Sequence, residues 1–270
     1  MVQAQRTALA AAVFDIDGTL LPAGQAVLSG RVCRALAALQ EKGVPVIIAT
    51  GRAPFAARQA LGKARPDYLV SCTGCLVQDK RGEILEAARM TQEEMYALVD
   101  FCEDYELPLD FVFEDGYYVY VEYARMMAAP HTPGVEHFLK DGEDQTRHLQ
   151  GMPYAACVYA PEARVRQFRQ KYGHLGLRFL PLAHGRDKFD AVRADADKAA
   201  AVGRLLERLG LSWAGTAAFG DGENDERMLA AAGVPVVMEN GWEPLKTPGR
   251  LIAPPCREDG AAQWLEKYIL

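Results

Sequence analysis

The sequence predicts an α/β protein with a doubly wound, parallel-sheet (Rossmann-like) core and an inserted α+β cap domain. Three observations support this fold class. Stretches typical of strands and of helices alternate at the start of the chain. The pattern in the middle of the chain is typical of hairpins. The alternation of strands and helices returns after about residue 185. The expected domains are a core of residues 1–79 and 186–270 and a cap of residues 80–185.

The amino-terminal part predicts three buried strands separated by two helices. AVF at 12–14, VPVIIAT at 44–50 and DYLVSC at 67–72 are apolar runs of the kind found in parallel sheets. Ser29 is placed to cap the first helix, and Pro54 stands near the start of the second. This order of strands and helices predicts the first half of a doubly wound sheet.

The middle of the chain has a different pattern. CLVQDKRGEILEA at 75–87 predicts a hairpin, and a second hairpin is expected around an Asp-Gly turn at 115–116. Thr91 and Glu94 form a capping box at the start of the helix between them. A further strand at 154–159 and a basic helix complete a module in which hairpins and helices are mixed.

The carboxyl-terminal part returns to alternating elements. The pattern predicts a helix at 197–209, a strand at 216–220, a helix at 223–231, a strand at 234–238 and a last helix from about 259. We therefore expect this segment to complete the sheet that the amino-terminal part begins.

Composition limits the kinds of partner. The net charge of −6 and the pI of about 5.5 argue against nucleic acid or an anionic membrane. No apolar stretch reaches membrane-spanning length and the start lacks the layout of a signal peptide, so a cytoplasmic protein is expected. The six scattered cysteines predict reduced thiols, including the Cys72 and Cys75 pair. The expected partner is a small molecule, and the chain is expected to be a monomer or homodimer.

Four polar segments fall where predicted strands end or helices begin. They are FDIDGTL, IIATGR, the helix start at Lys198 and FGDGENDERML. Because ligands of doubly wound sheets collect at the carboxyl ends of the strands, we expect these segments to meet. Each is common alone, and it is their occurrence together in this chain order that makes the pattern specific.

These segments supply what phosphoryl transfer requires: a nucleophile, a cation and carboxylates for a metal. Asp15 and Asp17 repel one another, so a bound cation or a proton shared between two chemical roles would explain their proximity. Backbone N–H groups beyond them, kept open by Gly18, can face a phosphate. A hydroxyl, an ammonium and a second acidic pair for Mg²⁺ come from Thr50, Lys198, Asp221 and Asp225.

The four segments resemble the motifs of the haloacid dehalogenase superfamily, in particular its Cof-type phosphatases with an inserted C2-type α/β cap. The resemblance covers nearly the whole chain, and the spacing to Asp221 favours Lys198 over Lys188 as the third motif. It implies an Mg²⁺-dependent phosphatase of small phosphorylated metabolites, such as sugar phosphates, that forms an aspartyl-phosphate. A phosphomutase or phosphotransferase would use the same intermediate, and a non-enzymatic regulatory phosphoprotein is the alternative from another class.

The resemblance also implies a role for each motif residue. Asp15 would be the nucleophile and Asp17 the general acid and base, with Thr50 and Lys198 completing the catalytic set. The phosphate-binding residues would be Ile16, Gly18, Thr50, Gly51, Lys198 and Asn224. The metal ligands would be Asp15, Asp17 through its backbone carbonyl, Asp221 and Asp225.

The chain departs from the family pattern at two places. Thr73-Gly74-Cys75 stands where the family often has Asn-Gly-Ala, and Ala199 replaces a glycine after the lysine. The first departure is expected to alter the pocket beside the substrate. In the cap, which should fold over the strand ends, the candidate substrate contacts are Tyr117, Tyr118, Arg125, His131 and His184, although such residues are more often structural.

Overall fold

The computed structural model describes residues 9–129, 134–182 and 187–270. The chain divides into two compact units. The first, called the core, comprises the residues up to Glu86 together with Asp197–Leu270, and the second, called the cap, comprises Ala87–Ala196. Two of the candidate cap contacts, His131 and His184, lie outside the described residues.

The described residues of the core form one eight-stranded sheet and five α-helices. Its strands are β1 (Ala11–Phe14), β2 (Val46–Ala49), β3 (Tyr68–Ser71), β4 (Leu76–Asp79), β5 (Ile84–Ala87), β12 (Thr216–Gly220), β13 (Val234–Met238) and β14 (Leu251–Ala253). Its helices are α1 (Gly30–Glu41), α2 (Pro54–Leu61), α6 (Lys198–Arg208), α7 (Glu226–Ala231) and α8 (Gly260–Tyr268). The strand order is β14-β13-β12-β1-β2-β3-β4-β5.

The core sheet is parallel from β14 to β3, and β4 joins β3 in an antiparallel pair. β1 lies in the middle and is buried along its whole length. One face of the sheet packs on α1, α2 and α8 and the other on α6 and α7. Burial on both faces explains the continuous apolar runs of these strands, and the predicted doubly wound core is confirmed.

In the part of the cap that the structure describes, there are a six-stranded sheet and three α-helices. Its elements in chain order are α3 (Gln92–Asp104), β6 (Leu109–Val112), β7 (Tyr117–Val121), α4 (Tyr123–Ala128), β8 (Leu139–Asp141), β9 (Ala155–Tyr159), α5 (Glu162–Tyr172), β10 (Arg178–Pro181) and β11 (Lys188–Val192). The strand order is β10-β11-β9-β6-β7-β8. The capping box of Thr91 and Glu94 begins α3, and α3 and α5 pack on one face of the sheet.

The boundaries of the two units lie later in the chain than the predicted ones at 79/80 and 185/186. The reason at the first boundary is that β5 is hydrogen-bonded to β4 and so extends the core sheet. At the second, β11 pairs with β9 and β10 in the cap sheet. The unit to which each of these two strands belongs is decided by its pairing, which composition alone does not reveal.

Several short elements fall in stretches for which the sequence made no prediction. These are α4, β8, β10, β11 and β14. Each is short, and their strands are defined by pairing with distant partners rather than by their own pattern. Among the described residues, the structure has no helix that is both long and apolar enough to cross a membrane. The cytoplasmic location stays a prediction.

Candidate active site

Three of the predicted site residues meet at the carboxyl end of the core sheet. Asp15 follows β1, and its Oδ1 accepts a hydrogen bond of 2.6 Å from Nζ of Lys198. The same ammonium donates to Oδ1 of Asp225 over 3.0 Å. All three side chains are buried. A buried ammonium therefore lies between two buried carboxylates that are 210 residues apart in the chain.

A third carboxylate, that of Asp221, belongs to the same cluster. Oxygen atoms of Asp15, Asp221 and Asp225 lie within 4.8 Å of one another. Asp221 is oriented by Thr19, whose hydroxyl donates to Oδ1 over 2.8 Å. We call these three aspartates the acidic centre.

A tight turn after β1 brings the chain close to the acidic centre. The carbonyl of Ile16 accepts hydrogen bonds from the three N–H groups of residues 19–21. Gly18 has a φ of +80°, and a Cβ atom there would lie 2.1 Å from Oδ2 of Asp221. Only glycine can adopt this positive φ without strain and also lie so close to the Asp221 carboxylate. The glycine of the first motif is therefore required by geometry as well as by any role in binding phosphate.

Local backbone contacts also fix Asp225 and Lys198. Oδ2 of Asp225 accepts hydrogen bonds from the N–H groups of Asp221 and Gly222, over 3.0 and 3.1 Å. Lys198 is the first residue of α6, and Asp197 caps that helix by accepting from the N–H of Ala200 over 2.8 Å. The side chains of the third and fourth motifs are thus oriented by their own helix starts.

Thr50, at the end of β2, is almost fully buried. Its carbonyl accepts a hydrogen bond of 3.1 Å from the N–H of Thr73, and its hydroxyl accepts one of 3.2 Å from the N–H of Arg52. The segment after β3 is therefore bound to the second motif. Gly51 lies between these contacts, with its N–H available as a candidate phosphate donor.

Asp17 lies outside the acidic centre and pairs with a residue that the sequence analysis did not assign. Nε and one terminal nitrogen of Arg52 donate to its two oxygens over 2.7 and 2.6 Å. The Asp17 side chain is 56% exposed, against 7% for that of Asp15. The two aspartates of the first motif thus occupy different environments, which suits two different chemical roles.

Electrostatics in the acidic centre favour an additional cation. Burial raises the pKa of Asp15 well above its ordinary value, Lys198 opposes this, and the charges of Asp225 and Asp221 add to the rise. Burial also raises the pKa of Asp221 to about 6, with Thr19 acting against the shift and Asp225 reinforcing it. Burial opposes the charge of Lys198, but the two carboxylates outweigh it and raise its pKa. One ammonium therefore leaves three carboxylates only partly compensated.

The donor set of the acidic centre fits Mg²⁺. It offers carboxylate oxygens alone, close enough to share one ion, and hard oxygen ligands suit this cation. Among the described residues, Oδ2 of Asp15 accepts no hydrogen bond from the protein and is free to bind. The predicted ligands Asp15, Asp221 and Asp225 are brought together, whereas the carboxylate of Asp17 is engaged by Arg52.

Other contacts of the site were not foreseen from the sequence. Asn240, after β13, donates to the carbonyl of Gly18 over 2.8 Å and accepts from the N–H of Cys256 over 2.7 Å. Asn224, predicted to contact phosphate, is exposed beside Gly222. Arg52 stands in the ATGR motif itself, which is the one signal that could have singled it out.

Replacing Lys198 by methionine is expected to destabilise the metal-free fold by about 3 kcal/mol at neutral pH, because it leaves buried carboxylates without their counter-charge. The loss should be smaller near pH 5, below the raised pKa of Asp221 of about 6, where protonation of this carboxylate relieves part of the repulsion. Chemical denaturation in the presence of EDTA measures both values, with the exposed Lys267→Met as a control. Equal losses for the two variants would contradict the electrostatic account.

Fold and site together define the class of the protein: a doubly wound α/β protein with an inserted domain and an acidic centre at the strand ends. The model of the family described as haloacid dehalogenase-like hydrolase matches residues 12–265. The chain therefore belongs to the haloacid dehalogenase-like hydrolases, and the resemblance drawn from the four motifs is confirmed.

Curated relatives and solved structures agree with this assignment. The chain is 26% identical over 266 residues to the HMP-PP phosphatase of Yersinia enterocolitica, covering 96% of this chain and 94% of that protein. It is 25% identical to an HMP-PP phosphatase of Escherichia coli, covering 96% and 95%. A superfamily phosphatase from Bacteroides thetaiotaomicron has the same fold, with a TM-score of 0.80 at 19% identity over 99% of this chain and 98% of that one. The prediction of a phosphatase is confirmed at the level of enzyme class.

Proposed function

We propose that the protein is an Mg²⁺-dependent phosphatase that hydrolyses a small phosphorylated metabolite through an aspartyl-phosphate on Asp15. The observation that carries this proposal is the hydrogen bond between Lys198 and Asp15 inside the acidic centre. It combines a carboxylate nucleophile, a fixed positive charge and an oxygen-rich metal site, which are the parts that phosphoryl transfer needs.

In the first step, the carboxylate of Asp15 attacks phosphorus and the ester P–O bond breaks. The leaving oxygen takes a proton from Asp17. In the second step, water attacks phosphorus, gives a proton to Asp17 and releases phosphate from Asp15. The hydroxyl of Thr50 and the ammonium of Lys198 hold the phosphoryl oxygens, assisted by the N–H group of Gly51. The N–H of Gly18 is not assigned this role, because it donates to the carbonyl of Leu21 over 2.9 Å.

Arg52 has a positioning role in this scheme. Its two hydrogen bonds fix the direction of the Asp17 carboxylate, which is otherwise on an exposed loop. When Asp17 carries a proton, one of its oxygens becomes an O–H donor and a weaker acceptor, so the hydrogen bond that this oxygen accepts from Arg52 weakens. Arg52 is thus suited to holding the Asp17 carboxylate in position between the first and the second step.

The proposed metal ligands are Asp15, the backbone carbonyl of Asp17, Asp221 and Asp225, with Asp225 also holding Lys198. Mg²⁺, when bound, would supply the positive charge that offsets the nucleophile and the phosphate oxygens. Lys198 alone leaves the acidic centre partly uncompensated, so we expect activity to be abolished by EDTA and restored by Mg²⁺.

The substrate class is best tested with a panel of phosphate esters. The relatives named HMP-PP phosphatase make HMP-PP the first compound to assay, and a structural neighbour described as a subclass IIB sugar phosphatase suggests sugar phosphates as the second group. Release of inorganic phosphate with Mg²⁺, measured for each compound, tests the proposal. Failure to hydrolyse any phosphate ester, including a generic aryl phosphate, would refute it.

Mg²⁺ is expected to stabilise the fold more at about pH 7.5 than at about pH 5. In the metal-free protein the folded-state pKa of Asp221, about 6, lies above its unfolded value of about 3.9. Between these two pKa values the folded state binds more protons than the unfolded state. The contribution of this proton to the free energy of unfolding is therefore lost as pH rises through 6. Mg²⁺ competes with those protons, so its effect grows with pH.

Thermal unfolding with Mg²⁺ and with EDTA at both pH values measures this difference. Asp221→Asn should flatten the dependence because it removes the titrating ligand. A stabilisation by Mg²⁺ that is the same at both pH values in the wild type would contradict the prediction.

A further inference from the structure

The segment after β3 has an unusual backbone where this chain departs from its family. Cys72, Thr73 and Gly74 all adopt left-handed conformations, with φ values of 50°, 57° and 101°. This region is unfavourable for a β-branched residue such as threonine and more tolerant of asparagine. A role limited to forming the turn would therefore be served better by asparagine or glycine, so a threonine at this position calls for another explanation.

The position of Thr73 is fixed by two neighbouring motifs. Its N–H donates to the carbonyl of Thr50 over 3.1 Å, and the N–H of Cys72 donates to the carbonyl of Arg52 over 2.9 Å. On the other side, a Cβ atom at Gly74 would lie 2.5 Å from the carbonyl oxygen of Asp197, so the turn also packs against the start of α6. Thr73 is therefore held between the second and third motifs.

The side chain of Thr73 is directed toward the second motif. It is only 6% exposed. Within the described part of the chain its hydroxyl forms no hydrogen bond. A Cβ atom built on Gly51 would lie 3.6 Å from its Oγ1, so the hydroxyl faces the side of Gly51 that has no side chain. A hydroxyl in this place can donate to an anionic oxygen, and charge-assisted bonds of that kind are strong.

We propose that the hydroxyl of Thr73 is a further substrate-contacting group, which donates a hydrogen bond to an oxygen of the phosphate ester bound at Thr50 and Gly51. This inference rests on the proposed function, since it extends the phosphate-binding set of the same site.

Two substitutions separate the hydroxyl from the shape of the side chain. Thr73→Val keeps the volume and the β-branch, and with them the backbone preference, and removes only the hydroxyl. Thr73→Ser keeps the hydroxyl. Thr247→Val, at an exposed position, serves as the matched control. The measurements are the affinity for inorganic phosphate with Mg²⁺ by calorimetry, and kcat and KM for p-nitrophenyl phosphate.

Thr73→Val should weaken phosphate binding about tenfold and raise KM by a similar factor, whereas Thr73→Ser should stay within about twofold of the wild type. A turn-forming role alone predicts that neither substitution weakens phosphate binding, because valine keeps the backbone preference of threonine and serine adopts this conformation at least as readily. Unchanged phosphate affinity in Thr73→Val, with an active wild type, would overturn this inference and leave the proposed function standing. A wild type that neither binds phosphate nor turns over substrate would refute both.

Discussion

Replacing Asp15 by asparagine is expected to lower phosphatase activity by at least about a thousandfold while the protein stays folded. The amide has nearly the same size as the carboxylate but no charge with which to attack phosphorus. It also removes one of three like charges from the acidic centre. We therefore expect the metal-free variant to be at least as stable as the wild type at neutral pH, because burial and the neighbouring charges of Asp225 and Asp221 disfavour a charge on Asp15 and raise its pKa.

Initial rates with an aryl phosphate and thermal unfolding in EDTA test both parts of this prediction. Asp100→Asn, on the exposed surface of α3, is the matched control, and it should leave rate and stability unchanged. A variant that is folded and retains wild-type turnover would show that Asp15 is not the nucleophile. A variant that fails to fold would instead assign Asp15 a structural role as the counter-charge of Lys198.

Asp17→Asn is expected to stop the reaction after its first half. The amide lacks the base that activates water, and its backbone carbonyl is unchanged. With an activated ester, whose leaving group needs little protonation, the variant should form the aspartyl-phosphate and then stall. Rapid mixing should show a burst of at most one product per active site, followed by very slow turnover.

The outcome also separates the proposed phosphatase from a regulatory phosphoprotein. A wild type that itself stalls after one turnover with every ester would favour the regulatory alternative. Similar steady rates for Asp17→Asn and the wild type would mean that another group activates water. Arg52→Lys is a useful companion variant, since it keeps the charge but not the two parallel hydrogen bonds that orient Asp17.

The sequence predicted the doubly wound core and its motif residues because the signals are local. Asp15 directly follows a buried strand, and Lys198 directly follows a capping aspartate. Parallel strands align their carboxyl ends at one edge, so residues far apart in the chain are expected to meet there. The structure brings Lys198 to Asp15, and it places Lys188 in β11 of the cap sheet.

Contacts that depend on long-range packing were not predictable in the same way. Arg52 and Asp17 lie in the loops that follow β2 and β1. The register of these two strands decides whether the two side chains can reach each other. The left-handed conformation of Thr73 contradicts its local preference, because tertiary contacts with Thr50 override it. β10 and β11 are defined by pairing with each other and with β9. In each case the information lies in the partner rather than in the segment itself.

The way in which α6 begins has a consequence for how such proteins can diversify. Asp197 is the first residue of the core after the inserted unit, and among the described residues its side chain forms hydrogen bonds with groups of the core. Its carboxylate accepts from the N–H of Ala200 and from Arg227, and its carbonyl lies against Gly74. These contacts of the residue before Lys198 do not depend on the length or sequence of the preceding insert. An insert of another length or sequence is therefore compatible with the same start of α6.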